Sequence, residues 1–208
     1  MNKEELAGLL KAMDSGDGLL VTELALQLSI LVFLCSTAFR KAEWAEFDLE
    51  NARWDIPAER MIKRRGETTT HIVPLSRQAL AILKKIETFT GGGRYVFPSA
   101  RTTARPMSEN TIKAALRRLG YSSEDMTTHG FRATARTLLD EVLRVRVDVI
   151  EHQLGHGVRD PNGRACDRTT FLPQRGQMMQ DWADYLDALK CGKKFVMKEN
   201  SYELCKNR

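Results

Sequence analysis

The stretch from Leu24 to Phe39 is the longest apolar run in the chain, interrupted at Gln27, Ser29 and Ser36. A membrane span needs about 20 consecutive apolar residues, so this run is too short and too broken to be one. It reads instead as a helix buried within protein, and a helix that is apolar on most sides must be surrounded by other elements. The chain has the material for this: 208 residues, 42% of them hydrophobic, fit one domain of ordinary size with a single core. Met1-Asn2-Lys3-Glu4-Glu5 lacks the charged-then-apolar form of a secretory signal, so a cytoplasmic location with no membrane partner is expected.

Leu6, Leu9 and Leu10 recur at helical spacing over 3–13, and Leu24, Leu26, Leu28 and Leu31 mark a second helix over 19–35. Asp14-Ser15-Gly16-Asp17-Gly18 between them is a loop, and a further helix is expected from about Arg40 to Glu46. From Phe47 to Pro74 the pattern changes to short strands at Trp54-Asp55-Ile56, Arg60-Met61-Ile62 and His71-Ile72-Val73. Gly66-Glu67 would be the tip of a hairpin between the last two. Ser76 is placed to N-cap a helix reaching about Glu87, and Ser108-Glu109-Asn110 opens another that carries Lys113, Arg117 and Arg118. Helices from about His129 to Val142 and Val147 to Leu154 follow, then a break at Asp160-Pro161-Asn162-Gly163 and a last helix from about Gln174 to Leu189. The expected class is α+β, mainly α, with a small three-stranded antiparallel sheet among the helices.

Charge is unevenly spread. The first fifty residues hold four Lys/Arg against nine Asp/Glu, a net of −5, so the other 158 carry +10 of the overall +5. A basic region on a mixed domain suits a polyanionic partner, although a merely soluble surface explains the charge equally well. Cys35, Cys166, Cys191 and Cys205 show no CxxC spacing, which argues against a zinc ribbon or a disulfide scaffold and for free thiols.

Three short segments carry chemistry. His129 and Arg132 lie three apart at the start of a helix, on one face, where free N–H groups and the helix dipole attract phosphate. An ordinary surface pair would look the same. Arg40 follows the apolar helix in Thr37-Ala38-Phe39-Arg40-Lys41-Ala42-Glu43, where an arginine is costly unless it meets a ligand, pairs with Glu43 or is solvated at a helix start. Leu154-Gly155-His156 ends another apolar helix, and Gly155 allows close backbone approach.

In order and spacing, these segments and their neighbours resemble the catalytic domain of a tyrosine recombinase, most of all the P4-like integrases of phages and genomic islands. The matching stretches are TAFRKAE (37–43), IPAERMIKRR with HIVPLSRQAL (56–65, 71–80), YVFPS (95–99), RPMSENTIKAALRRLGY (105–121), MTTHGFRATARTLL (126–139), DVIEHQLGH (148–156) and ACDRTTFLPQRGQMMQDWADYLDAL (165–189). The resemblance implies that Arg40 and Arg132 clamp a scissile phosphate, each through a planar fork of donors that stays charged. It implies that Lys63 protonates the leaving 5′ oxygen, with Arg64 or Arg65 in register should the long Lys63–His71 stretch shift the alignment. His129 and His156 would donate to phosphate oxygens or shuttle protons, His129 being the expected base. Two arginines and a lysine neutralise the developing charge, so neither metal nor other cofactor is expected.

The family's nucleophile is a tyrosine in Ala-Tyr-Asn-Arg; here that segment is Ala165-Cys166-Asp167-Arg168, ten residues past His156. A cysteine sulfur reaches about 2.8 Å from its Cα and a tyrosine oxygen roughly 6.5 Å. Since about 1 Å of misplacement can cost roughly a hundredfold in rate, the domain is expected to hold DNA without cutting it. Tyr185, on an apolar face with Trp182, Leu186 and Leu189, reads as core, and neither Tyr95, Tyr121 nor Tyr202 is placed to substitute. Two rival readings stay open: a non-cleaving regulatory DNA-binding module, and a thiol- or zinc-dependent enzyme built on Cys166, with His152 and His156 as further ligands.

The resemblance further implies duplex DNA with attachment or core sites as partner, and sister protomers in a recombination tetramer. Lys113, Arg117, Arg64 and Arg65 are the expected extra backbone contacts, which add affinity and salt dependence. The expected boundaries are a catalytic domain over 1–190 and a basic tail over 191–208, without the arm-binding and core-binding domains that precede it in full integrases.

Overall fold

In the computed structural model the apolar run is the axle of the molecule. The structure describes residues 2–14, 16, 18–60, 70–122, 124–156 and 171–195. Helix α2 (Leu20–Val32) buries Leu24, Ala25, Leu26, Leu28, Ser29, Ile30, Leu31 and Val32. It is surrounded by α1 (Lys3–Asp14), α4 (Arg77–Thr90), α5 (Thr111–Arg118), α6 (Thr128–Glu141) and α8 (Leu172–Lys190). Ser29 is tolerated inside because its hydroxyl donates to the Leu26 carbonyl at 2.7 Å. No helix among the described residues is long and apolar enough to cross a membrane.

The run does not stay helical to Phe39. Phe33 takes a left-handed conformation (φ 37°) that ends α2, and a short helix α3 (Ser36–Arg40) starts afresh. The helix expected over 40–46 is absent. Glu43 is extended and bridges to Tyr95, Val96 N–H donates to the Ala42 carbonyl, and only Trp44–Glu46 makes a single 3₁₀ turn. Pairing with a distant segment thus overrides the local helical pattern.

The three-stranded antiparallel sheet is present in a different register from the expected one. Its strands are β1 (Phe47–Asp48), β2 (Arg53–Ile56) and β3 (His71–Pro74), in that order. β2 pairs directly with β3, Trp54 opposite Val73, and Arg60 ends a 3₁₀ turn (Ala58–Arg60) instead of starting a strand. The expected tip at Gly66-Glu67 lies outside the described residues. Trp54 and Ile56 point inward with strand alternation, and Trp54 stacks on Phe47 at 4.7 Å. A second hairpin, β4 (Pro98–Ser99) with β5 (Thr102–Pro106), has no counterpart in the sequence reading. Its end pair is Pro98 opposite Pro106, and prolines in strands erase the usual signal.

Two further helices form as expected, α4 with its Ser76 cap and α8 with its apolar face inward. Ser76 accepts from Ala79 N–H at 3.2 Å to start α4, and α8 buries Trp182, Tyr185 and Leu186. The Trp182 indole donates to the Ile30 carbonyl at 3.0 Å, pinning α8 to α2. Helix α7 (Val147–Gln153) completes the order, packed between α6 and α8.

Candidate active site

Thr127 N-caps α6, its hydroxyl accepting from Gly130 N–H at 2.9 Å. A side chain at Gly130 would meet the Met126 sulfur at 2.8 Å, so the glycine lets the cap close. His129 is exposed in the first turn, and Arg132 follows one turn on, half-buried. The Arg132 guanidinium donates through Nη1 to the Phe33 carbonyl (3.2 Å) and through Nη2 to the Leu154 carbonyl (2.8 Å), 3.3 Å from His156 Nε2. Its anchors are therefore the left-handed end of α2 and the last turn of α7. Burial pushes the Arg132 guanidinium below its ordinary value, while Cys35 and Glu151 pull the other way.

Gly155 makes the second half of the site. It adopts φ 70° after α7, so Gly155 N–H returns to the His152 carbonyl and His156 N–H to the Glu151 carbonyl (3.1 and 3.0 Å). This Schellman turn folds His156 back over Glu151. His156 Nδ1 lies 2.5 Å from one Glu151 oxygen, and Arg136 Nε donates to the other at 2.7 Å. Burial raises the Glu151 carboxyl, but the hydrogen bonds and charges of His156 and Arg136 outweigh it and hold the group below its ordinary value.

Arg40 closes α3, half-buried, with Nη1 donating to the Met107 carbonyl at 3.4 Å. It lines a pocket with Ser36, Ser108, Glu109 and Thr128, the first residue of α6. The structure rules out pairing with Glu43. That carboxylate takes Arg94 at 2.9 Å and Arg60 at 3.6 Å, and the Arg94 hydrogen bond holds it below its ordinary value. Arg132 and Arg40 are thus tied to opposite ends of one segment, 33–40, with the α6 N-terminus beside both.

Lys113 and Arg117 are exposed on α5, which packs on α2 through Ile112, Ala115 and Leu116. Lys63, Arg64, Arg65 and Cys166 lie outside the described residues. His152 and His156 do not share a helix face, because α7 stops at Gln153. His152 is instead buried edge-on against Phe171, with ring centroids 5.3 Å apart, and burial pushes its pKa down. Tyr185 is 4% exposed within the core.

Two groups went unread in the sequence. Glu151 stands five residues before His156, a spacing that brings side chains together only when a glycine reverses the chain between them. Arg175 is one of several polar residues in the first turns of α8, yet it is fully buried: it donates to Gln153 Oε1 at 3.0 Å and to the Ile72 carbonyl, while burial lowers its pKa to about 10.

The sequence model of the phage integrase family matches residues 1–158. IntB of Escherichia coli (strain K12) is 40% identical over 189 residues, covering 86% of this chain and 48% of its own length. The integrase of Enterobacteria phage P4 is 39% identical over 183 residues, covering 82% and 41% respectively. A lambda integrase dimer bound to a COC′ core site matches in structure with a TM-score of 0.53 at 18% identity, over 75% of this chain and 56% of that one. The chain belongs to the phage integrase family. Its mainly helical fold with small antiparallel sheets is that of a tyrosine recombinase catalytic domain. It spans about half the length of the curated relatives it matches.

Proposed function

We propose that residues 1–190 form the catalytic domain of a site-specific DNA recombinase, which grips a backbone phosphate of duplex DNA and is deficient in cleavage because Cys166 stands where the tyrosine is needed. The observation that carries this reading is Arg132, held by two backbone carbonyls beside His156 and next to the capped N-terminus of α6. A guanidinium fixed by carbonyls keeps its other N–H donors for an anion, and the helix terminus adds a positive dipole. Arg40, entering from the other end of the same segment, is the second clamp. Lys63 is the proposed acid toward the 5′ oxygen, and His129 and His156 the proton carriers. Lys113 and Arg117, exposed on α5, extend the contact along the backbone, with Arg64 and Arg65 adding to it. Sister protomers on DNA are the proposed protein partners, in line with the lambda integrase dimer on its core site.

In an intact site of this kind, the tyrosine oxygen attacks phosphorus, the 5′ oxygen leaves with a proton, and a 3′-phosphotyrosyl link conserves the bond energy. Nicked duplexes carrying candidate core sites test the reading, with the protein and its Cys166→Tyr variant compared for covalent adducts. An adduct with the variant alone is the expected result. An adduct with the unaltered protein that alkylation abolishes would establish thiol chemistry instead. Salt-sensitive binding by both without any adduct would make the domain a binding module.

A further inference from the structure

We infer that Glu151 is the positioning residue for His156: it fixes the imidazole of the DNA-free protein in the tautomer whose bare Nε2 faces the phosphate site, ready to take up a proton when a phosphate binds and to donate it to a phosphate oxygen. This deepens the recombinase reading and rests on it for its catalytic consequence, though not for its structural content.

The tautomer follows from the partners. Glu151, held ionised below its ordinary range, has only acceptor oxygens, so the nitrogen 2.5 Å away, Nδ1, must carry the proton. Arg132 has only donors, so Nε2, 3.3 Å from its Nη2, must present a lone pair. A protonated ring would set an N–H against a guanidinium N–H at that distance. With no anion bound, the neutral Nδ1–H form is therefore the one that satisfies both neighbours. A bound phosphate changes the balance, since its negative charge beside Arg132 compensates a cation on His156. Nε2 then takes up a proton from solvent and its N–H donates to a phosphate oxygen, while Glu151 stabilises the imidazolium from behind.

The arrangement is held on both sides. Arg132 and Arg136 are one turn apart on α6, and Glu151 and His156 are brought together by the Gly155 turn after α7. The four side chains form a closed relay, Arg136 to Glu151 to His156 to Arg132. Charged and titratable groups that bear on the ring include these three partners, and Cys35 acts on Arg132. Arg136 draws the second Glu151 oxygen outward, which keeps the first aimed at Nδ1. A carboxylate hydrogen-bonded to one nitrogen of a histidine fixes the ring's orientation and tautomer.

The test reads the nitrogens directly. In DNA-free protein with 15N-labelled histidine, the neutral His156 ring is expected to show a protonated Nδ1 and a bare Nε2, and E151Q is expected to shift the population toward protonated Nε2. A protonated Nε2 in the unaltered protein would overturn the inference. So would an unchanged tautomer in E151Q, which would assign the ordering to Arg132 alone. In the Cys166→Tyr background, E151Q should slow adduct formation by about a hundredfold, the lower range for a proton-transfer group. Duplex affinity should hold or tighten, because the change removes a negative charge near the phosphate. Weakened affinity in step with the rate would mean that Glu151 serves only the fold, and the inference would fail. If the Cys166→Tyr protein forms no adduct at all, the recombinase reading fails, and the tautomer measurement still decides the role of Glu151.

Discussion

Two arginines grip adjacent residues at the end of α7, and they do opposite things. Arg175, from α8, donates to the Gln153 side chain and to the Ile72 carbonyl and is fully enclosed. Arg132, from α6, donates to the Leu154 carbonyl and the Phe33 carbonyl and is only half-buried, beside the partly exposed His156. His71 adds to the inner cluster, its Nε2 lying 3.1 Å from the Gln153 carbonyl. The inner arginine ties β3, α7 and α8 into one node; the outer one is itself tied down and, in the proposed reading, keeps donors for a phosphate. The same side chain at the same turn is a rivet when sealed and, when only half-buried, the proposed clamp. Burial decides which, since a sealed guanidinium has its donors occupied by the protein.

The sharpest way to break this contrast is Arg175→Met, which orphans the Ile72 carbonyl and Gln153 Oε1. A loss of about 3 kcal/mol in urea unfolding is expected, as buried groups left without partners cost about 1–3 kcal/mol each. A near-neutral result would remove the rivet. Arg132→Ala should shift the balance toward binding: a smaller stability loss than Arg175→Met, from the Phe33 and Leu154 carbonyls it leaves, with duplex binding weakened about tenfold, since hydrogen bonds to charged groups are worth about 1.5–3 kcal/mol. Its dependence on salt should become shallower by about one counterion. Equal stability losses in the two variants would show that Arg132 is structural as well.

A smaller effect is expected at the turn that both arginines frame. Gly155→Ala places a β-carbon at φ 70° and should cost about 1 kcal/mol in thermal unfolding while disturbing His156. No cost would mean that the Schellman turn relaxes without consequence.

The mildest test is by pH. Glu151 lies below its ordinary value of 4.5 in the folded state, so its stabilisation is complete above that value and is lost as pH falls through the folded one. The stability difference between the protein and E151Q should therefore hold from neutral pH to about 4.5 and vanish below it. A difference that grows in acid would contradict the assigned pairing.

Much of the fold was legible in the chain. Leucine spacing revealed α1 and α2, Ser76 announced α4, and the apolar neighbours of Tyr185 placed it in the core. Helical signals of this kind are local, repeated over several turns and reinforced by caps. The pairing of Glu43 with Tyr95 was not legible, nor was the β4–β5 hairpin, because both depend on contacts with no periodic trace in either partner. Of the site, His129, Arg132, Arg40 and His156 stood out by residue type and order. The roles of Glu151 and Arg175 did not, one looking like a helix-surface acid and the other like an exposed base.

By itself, then, the sequence determined a buried central helix, a mainly helical domain around it and the cations available for a phosphate. Apolar periodicity and residue chemistry are written position by position, so these need no knowledge of neighbours. Only the tertiary structure decided which arginine would be sealed and which left open, and that Glu151 would stand behind His156. Burial and hydrogen-bond partners come from elements distant in the chain, and a single left-handed glycine turned one carboxylate toward one imidazole.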